Sequence, residues 1–170
     1  GAVTSKAAIS VSSKAAKDNL PMMTPTGTAT AITEAGSNVF RTCFLDATQA
    51  KAMADYAANE LSAQKVAVLY DITDDYSLGV AESFKAEAEA NGLEVVAFES
   101  FQSTDTDFKS QLSKIAAADP DALYVPSYYN TNALITPKKY SGYVYQPAIG
   151  IKTGSTGQAG LCLVSAAEQD

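Results

Sequence analysis

Apolar positions recur along this chain in two alternating rhythms, one helical and one extended. Residues 4–18 place Ala7, Ala8, Val11 and Ala15 three and four apart, the spacing that stacks side chains on one helix face. Thr4 or Ser5 is the candidate N-cap, since a hydroxyl there accepts from a free amide of the first turn. Residues 20–24 read as a short strand, Pro25-Thr26-Gly27-Thr28 as a turn, and 39–44 as a second strand. Asp46 is expected to cap a helix over 46–62, with Gln49 at capping-box spacing. Its apolar face is predicted on Ala50, Met53, Ala54 and Leu61. Residues 65–70 form a short β-rich run of the kind found in buried parallel strands. A loop over 71–76 leads into a helix over 78–91, with Val80, Ala81, Phe84 and Ala88 inward and Gly92 as its stop. A strand over 93–98 and a helix over 107–118 follow, the latter with Phe108, Leu112 and Ile115 inward. Asp119-Pro120 breaks that helix, and 122–125 is the next strand.

Strands alternating with helices of ten to fifteen residues build βαβ units around a parallel sheet. The predicted fold class is therefore α/β, three-layered, with a mostly parallel sheet. The pattern changes after residue 136. Pro137, Pro147, Gly142, Gly150, Gly154, Gly157 and Gly160 interrupt any helical period. Residues 149–153 and 161–166 read as two strands joined by a turn over 154–160, a C-terminal β-hairpin.

Composition narrows the function classes. The net charge of −7 over 170 residues repels a phosphate backbone, so no nucleic-acid partner is expected. No apolar run is long enough to cross a bilayer, so no direct membrane insertion is expected. The chain has no histidine, which removes Ser-His-Asp and Cys-His catalysis and every histidine-containing metal site. No metal or cofactor is expected. Cys43 and Cys162 are too far apart in sequence for a CxxC motif, and their pairing stays open. The chain opens at Gly1 inside an element already under way, without an apolar targeting segment. Of a removed leader and a missing start, the second is the expectation.

Open α/β sheets bind ligands beyond the carboxyl ends of their strands. The stretches in that position here are 25–28, 71–76 and 126–129. They offer hydroxyls, small residues and aromatic rings, with no acid–base pair and no nucleophile beside a base. Such loops hold a small polar molecule without transforming it. The plainer alternative stands beside this one. Thr, Gly and Ser are ordinary turn residues, and Tyr76 and Tyr128 would serve equally as half-buried rim residues.

The order Gly1-Ala2-Val3-Thr4-Ser5, Leu20-Pro21-Met22-Met23-Thr24-Pro25 and Val39-Phe40-Arg41-Thr42 resembles branched-chain amino-acid-binding proteins, the type I periplasmic binding proteins that serve ABC transporters. So do residues 65–70 with Asp75-Tyr76, then Asp107-Phe108 and Asp119-Pro120-Asp121-Ala122. The match covers about residues 1–135. The resemblance implies a two-lobed fold that closes on its ligand, with residues 1–41 as an incomplete first lobe and 42–129 as an α/β unit of the second. It implies that Ser5, Thr26, Gly27 and Thr28 hold the carboxylate and ammonium of an amino acid. Tyr76 and Tyr128 would close from the second lobe, and residues 39–42 would be a hinge crossing. It further implies an extracytoplasmic location, a small amino-acid ligand, and the membrane subunits of an ABC transporter as partners. The family begins with two further βα units. It also carries an acid after the next strand, where this chain has Lys152.

Residues 130–170 resemble the region around the Lys-Thr-Gly triplet of serine D-Ala-D-Ala carboxypeptidases. The shared features are Tyr140-Ser141-Gly142-Tyr143, Lys152-Thr153-Gly154 and the run from Ala159 to Ala167. That resemblance implies that Lys152, Thr153 and Gly154 lie on a strand beside an active site, where Lys152 and Thr153 would meet a substrate carboxylate. The Ser-x-x-Lys that this chemistry needs at a helix start has one match, Ser62 to Lys65, where a helix is predicted to end. The expectation is a hybrid chain and no enzyme.

Overall fold

The computed structural model describes residues 2–128, 148–156 and 160–167. Five helices and eight strands lie among them. The first unit holds α1 (Ser5–Lys17), β1 (Met22–Thr24), the one-turn α2 (Ala31–Glu34) and β2 (Val39–Arg41). β1 and β2 pair in parallel, Met22 opposite Val39 and Thr24 opposite Arg41. Their inner face buries Met22, Thr24 and Val39, while Met23 and Phe40 point to solvent.

α1 buries a different stripe from the predicted one. Ser5, Ala8, Ser12 and Ala15 face inward and Val11 is exposed. Both spacings are helical, and hydroxyl bonding decides between them. Ser5 Oγ accepts from the Ala29 amide and Ser12 Oγ donates to the Ile9 carbonyl, so neither serine is buried unsatisfied. Thr4 is the N-cap, accepting from the Ala7 amide.

The second unit is the three-layer sandwich. It runs α3 (Asp46–Asn59), β3 (Lys65–Asp71), α4 (Asp75–Ala90), β4 (Glu94–Phe101), α5 (Lys109–Ala117) and β5 (Ala122–Tyr124). The sheet order is β4-β3-β5, all parallel. β3 is central and buried from Val66 to Asp71, as its continuous apolar run predicts. Val66, Val68 and Tyr70 pack toward α3 and α4 with Ala50, Ala54, Val80 and Phe84. Ala67 and Leu69 face the other way, onto Phe101, Phe108 and Ile115. α4 starts three residues before the predicted 78, because the Asp74 carboxylate caps it by accepting from the Ser77 amide.

Four helices turn toward the next strand through a residue in the left-handed region. These are Asn19 after α1, Ser62 after α3, Gly92 after α4 and Asp119 after α5, with φ of 55°, 54°, 82° and 50°. After the first three, the next residue's amide reaches back to a carbonyl of the last turn. Only Gly92 announces itself in the sequence, since Asn, Asp and Ser enter this region at some cost and glycine enters freely.

Asp121 sets the start of the central pair. One carboxylate oxygen accepts from the Gln64 and Lys65 amides at 2.7 and 2.8 Å, and the Asp121 amide donates to the Lys65 carbonyl at 2.9 Å. The Lys65 and then the Gln64 amide bonds hold its carboxyl below the usual aspartate range. Asp121→Ala is expected to cost about 1 kcal/mol at neutral pH, because solvent screens this exposed group. A carboxyl lowered by folding contributes only while ionised. The gap between variant and parent in urea melts should therefore close as pH falls through that lowered value. A gap that persists in acid counts against this role.

A second sheet joins β6 (Ser127–Tyr128), β7 (Ala148–Thr156) and β8 (Gly160–Ala167). Its order is β6-β8-β7, antiparallel throughout. β7 and β8 form the predicted hairpin with both strands longer than expected, and β8 also pairs with β6.

Candidate functional site

The turn after β1 is held from three sides. From β1 itself, Thr24 Oγ1 donates to the Ala2 carbonyl and accepts from the Gly27 amide, both at 3.0 Å. From α1's entry, Val3 accepts from Thr26 Oγ1 at 2.6 Å and Ser5 Oγ accepts from the Ala29 amide at 3.3 Å. From β2's exit, the Arg41 guanidinium donates to the carbonyls of Gly27 and Ala29 and to Thr33 Oγ1. The Cys43 thiol donates to the Gly27 carbonyl, and burial raises its pKa. Cys43 is a free thiol, and the side chain of Cys162 lies outside the described residues.

Gly27 is required here by space. A Cβ would stand 2.6 Å from Ile32 Cδ1 and 2.8 Å from Thr24 Oγ1. The packing leaves Thr26 exposed and Ser5, Gly27 and Thr28 buried. The structure thus gathers Ser5, Thr26, Gly27 and Thr28 at one place, the start of α1. The Ser5 hydroxyl accepts from Ala29 and retains its own proton for donation. The Gly27 amide is already engaged by Thr24.

Tyr76 and Tyr128 form a second group. Their ring centroids lie 5.5 Å apart, and both rings are half-buried. Tyr76 stands in the first turn of α4, where the sequence pattern predicted a loop. The chain from Asp71 to Ser77 is ordered by its own side chains. Asp71 Oδ1 accepts from the Thr73 amide and hydroxyl, Asp71 Oδ2 accepts from Ser103 Oγ, and Ser77 Oγ accepts from the Asp71 amide. Lys6 Nζ reaches from α1 to the Thr73 carbonyl at 3.1 Å and ties the two units together on this side.

Asp46 adjoins the first group. It is not the cap that its spacing predicts. Leu45 occupies the N-cap without a side-chain bond, and Asp46 is the first helical residue. Its amide donates to the Thr28 carbonyl at 3.2 Å, and its side chain is 4% exposed. A Cβ on Gly79 of α4 would come within 3.2 Å of Asp46 Oδ2, so α3 and α4 approach closely there. Burial raises the Asp46 pKa, the Thr28 hydroxyl and Arg41 act against that rise, and Asp74 adds to it. Gln49 completes no capping box. Its Nε2 donates to Tyr76 Oη at 2.8 Å. Tyr124, at the end of β5, stacks on Phe84 with centroids 4.2 Å apart. Burial raises the Tyr124 pKa, the neighbouring Tyr76 and Asp46 add to the rise, and the Gln49 side chain acts against it. Sequence reasoning missed Asp46, Gln49 and Tyr124 as members of this place. The available signal was position: Asp46 directly follows the 39–44 crossing, and Tyr124 sits at a strand's carboxyl end.

Lys152, Thr153 and Gly154 lie on β7, opposite Val164, Leu163 and Cys162 of β8. Their side chains lie outside the described residues. Ser62 is exposed at a left-handed corner three residues before β3, and no helix starts there. Among the described residues no group of histidine, cysteine, aspartate or glutamate is placed to hold a metal ion.

A family model described as periplasmic binding protein matches residues 1–138. Leu/Ile/Val-binding protein homolog 3 of Brucella melitensis is 35% identical over 137 residues, which cover 80% of this chain and 37% of the relative. A leucine-binding protein of Thermotoga maritima superposes with a TM-score of 0.77 at 34% identity, covering 85% of this chain and 42% of that one. A branched-chain amino-acid transporter substrate-binding protein of Streptococcus pneumoniae, solved in complex with isoleucine, gives 0.70 at 34% identity, covering 79% of this chain and 38% of that one. This chain therefore spans about two-fifths of the length of the relatives it matches.

Proposed function

As this chain belongs to the periplasmic binding protein family, we propose that it contributes to reversible capture of a free branched-chain amino acid outside the cytoplasm, for delivery to the membrane subunits of an ABC transporter. The observation that carries this reading is the pinned turn at 24–28. Supporting it, Ser5 and Thr28 are buried beside that turn, Thr28 accepts from the Asp46 amide at the start of α3, and Tyr76 and Tyr128 pair ring to ring on the second unit. In this reading Ser5 and the 26–28 turn receive the charged ends of the zwitterion, and the two tyrosines cover it from the second unit. Hydroxyls and ring faces bind by hydrogen bonds and burial, and none of them breaks a bond.

Calorimetry with leucine, isoleucine and valine tests the reading. Heat is expected with at least one of them. Ser5→Ala and Thr28→Ala should each weaken binding roughly 10- to 100-fold, the worth of one hydrogen bond to a charged group. Absence of heat across the panel, at protein concentrations reaching millimolar affinity, removes the reading. Labelled penicillin is expected to leave the chain unmodified, since Ser62 stands at an exposed corner away from any helix start. Covalent labelling would favour the peptidase resemblance of residues 130–170 instead.

A further inference from the structure

The two tyrosines that face each other on the second unit are held by different means. Tyr128 belongs to β6, whose backbone pairs with β8 opposite Cys162, so its place follows from the sheet. Tyr76 stands in the first turn of α4, whose backbone is fixed by the Asp74 cap. That cap fixes no ring. Rotation about the side-chain bonds of a half-buried tyrosine stays open unless another group takes hold of it. Gln49 does so from α3. Its Nε2 donates to Tyr76 Oη at 2.8 Å, across 27 residues of sequence. The bond acts at the tip of the ring, where it opposes rotation with the longest lever. The ring so held meets Tyr128 at 5.5 Å between centroids, tilted by 32°, within the range that favours aromatic pairs.

Gln49 leaves a local use aside. α3 starts with Leu45 as its N-cap and no side-chain bond there, although glutamine near a helix start commonly reaches back to the free amides. The side chain crosses to α4 instead. The first unit sets where it crosses from. The Asp46 amide donates to the Thr28 carbonyl at 3.2 Å, and the Gln49 amide donates to the Leu45 carbonyl at 3.3 Å. The start of α3 is thereby tied to the turn after β1, and Gln49 carries that tie on to Tyr76.

We propose that Gln49 is a positioning residue, which sets the ring of Tyr76 against Tyr128 and so prepares the aromatic cover of the ligand site. A ring already in place loses little further rotamer freedom when a ligand arrives, and that saving appears as affinity. The effect on a ligand rests on the proposed function, whereas the setting of the ring does not.

The test is a double-mutant cycle of Gln49→Met and Tyr76→Phe, read in two ways. Methionine is of similar length and carries no N–H donor, and phenylalanine deletes the acceptor. The first reading uses the unliganded chain. It has nine tyrosines and no tryptophan, so its near-ultraviolet circular dichroism is dominated by tyrosine. Gln49→Met should alter that band in the parent and leave it unaltered in the Tyr76→Phe background. An unaltered band in the parent overturns the proposal, even where the thermal midpoint falls, since Gln49 would then merely tie α3 to α4. The same alteration in both backgrounds places the role elsewhere, at the neighbouring Tyr124, and also overturns it.

The second reading is leucine affinity by calorimetry. Each single variant should weaken binding roughly 3- to 10-fold, the worth of one neutral hydrogen bond. The double variant should bind within about twofold of Tyr76→Phe alone. Unchanged affinity in Gln49→Met, or losses that multiply in the double variant, overturn the proposal. Should the parent chain bind no leucine, isoleucine or valine, the functional reading falls by itself and the dichroism cycle alone judges the positioning.

Discussion

Phe84→Ala is expected to remove about 3–5 kcal/mol from folding, the range for deleting a buried aromatic ring. Phe84 is 2% exposed on the inner face of α4, and its ring stacks on Tyr124 at 4.2 Å. The layer around it is built largely from small side chains, with Ala50, Ala54 and Ala57 from α3 and Ala81 and Ala88 from α4. Alanines have no rotamers with which to fill a void, so the site cannot relax around the deletion. Such a loss is a large part of the 5–15 kcal/mol that a domain commonly has. In urea titration the midpoint should fall sharply with an unchanged slope. Phe84→Leu, which refills most of the volume, should lose much less. A loss below about 1 kcal/mol for the alanine variant would mean that this layer does not hold the second unit together.

Gly27→Ala is expected to cost about 1–3 kcal/mol through overpacking, and to weaken amino-acid binding more than about tenfold. The added carbon would meet Ile32 Cδ1 at 2.6 Å, Thr24 Oγ1 at 2.8 Å and Ala8 Cβ at 3.3 Å. Ile32 and Ala8 are wholly buried, and Thr24 holds the Gly27 amide and the Ala2 carbonyl. Relief therefore comes by moving the turn, which displaces Thr28 from Asp46 and Ser5 from Ala29. Gly92→Ala is the control. Nothing lies within 4 Å of its added carbon and only its φ of +82° is strained, so it should lose about 1 kcal/mol and no affinity. Equal binding by both variants and the parent would separate the turn from the ligand site.

The alternation of strands and helices was legible because it depends on local periodicity. β3 is buried on both faces, and its unbroken apolar run says so. The inward residues predicted for α4, Val80, Ala81, Phe84 and Ala88, are all buried. The hairpin of β7 and β8 was legible from its glycine-rich turn flanked by two apolar runs. Val11 and Ser12 in α1 mark where that legibility ends. One-residue rotation of the inward stripe depends on which hydroxyls find partners on neighbouring elements, and Ala29 is 24 residues from the Ser5 that it binds.

The candidate site divides along the same line. Turn chemistry after strands singled out Thr26, Gly27, Thr28, Tyr76 and Tyr128 as candidates, since a parallel sheet presents those positions at one edge, and the family resemblance added Ser5. Asp46 reads in the sequence as a helix cap, because capping is a local bond between residues three apart. Its burial against Gly79, its place beside Thr28 and the unpaired state of its Oδ1 come from long-range packing of α3 on α4. By itself the sequence determined the layers, the central strand and the small-residue turn, all encoded within a few residues of each other. Only the tertiary structure decided which side chains share an environment there, because desolvation and charge coupling depend on distance in space.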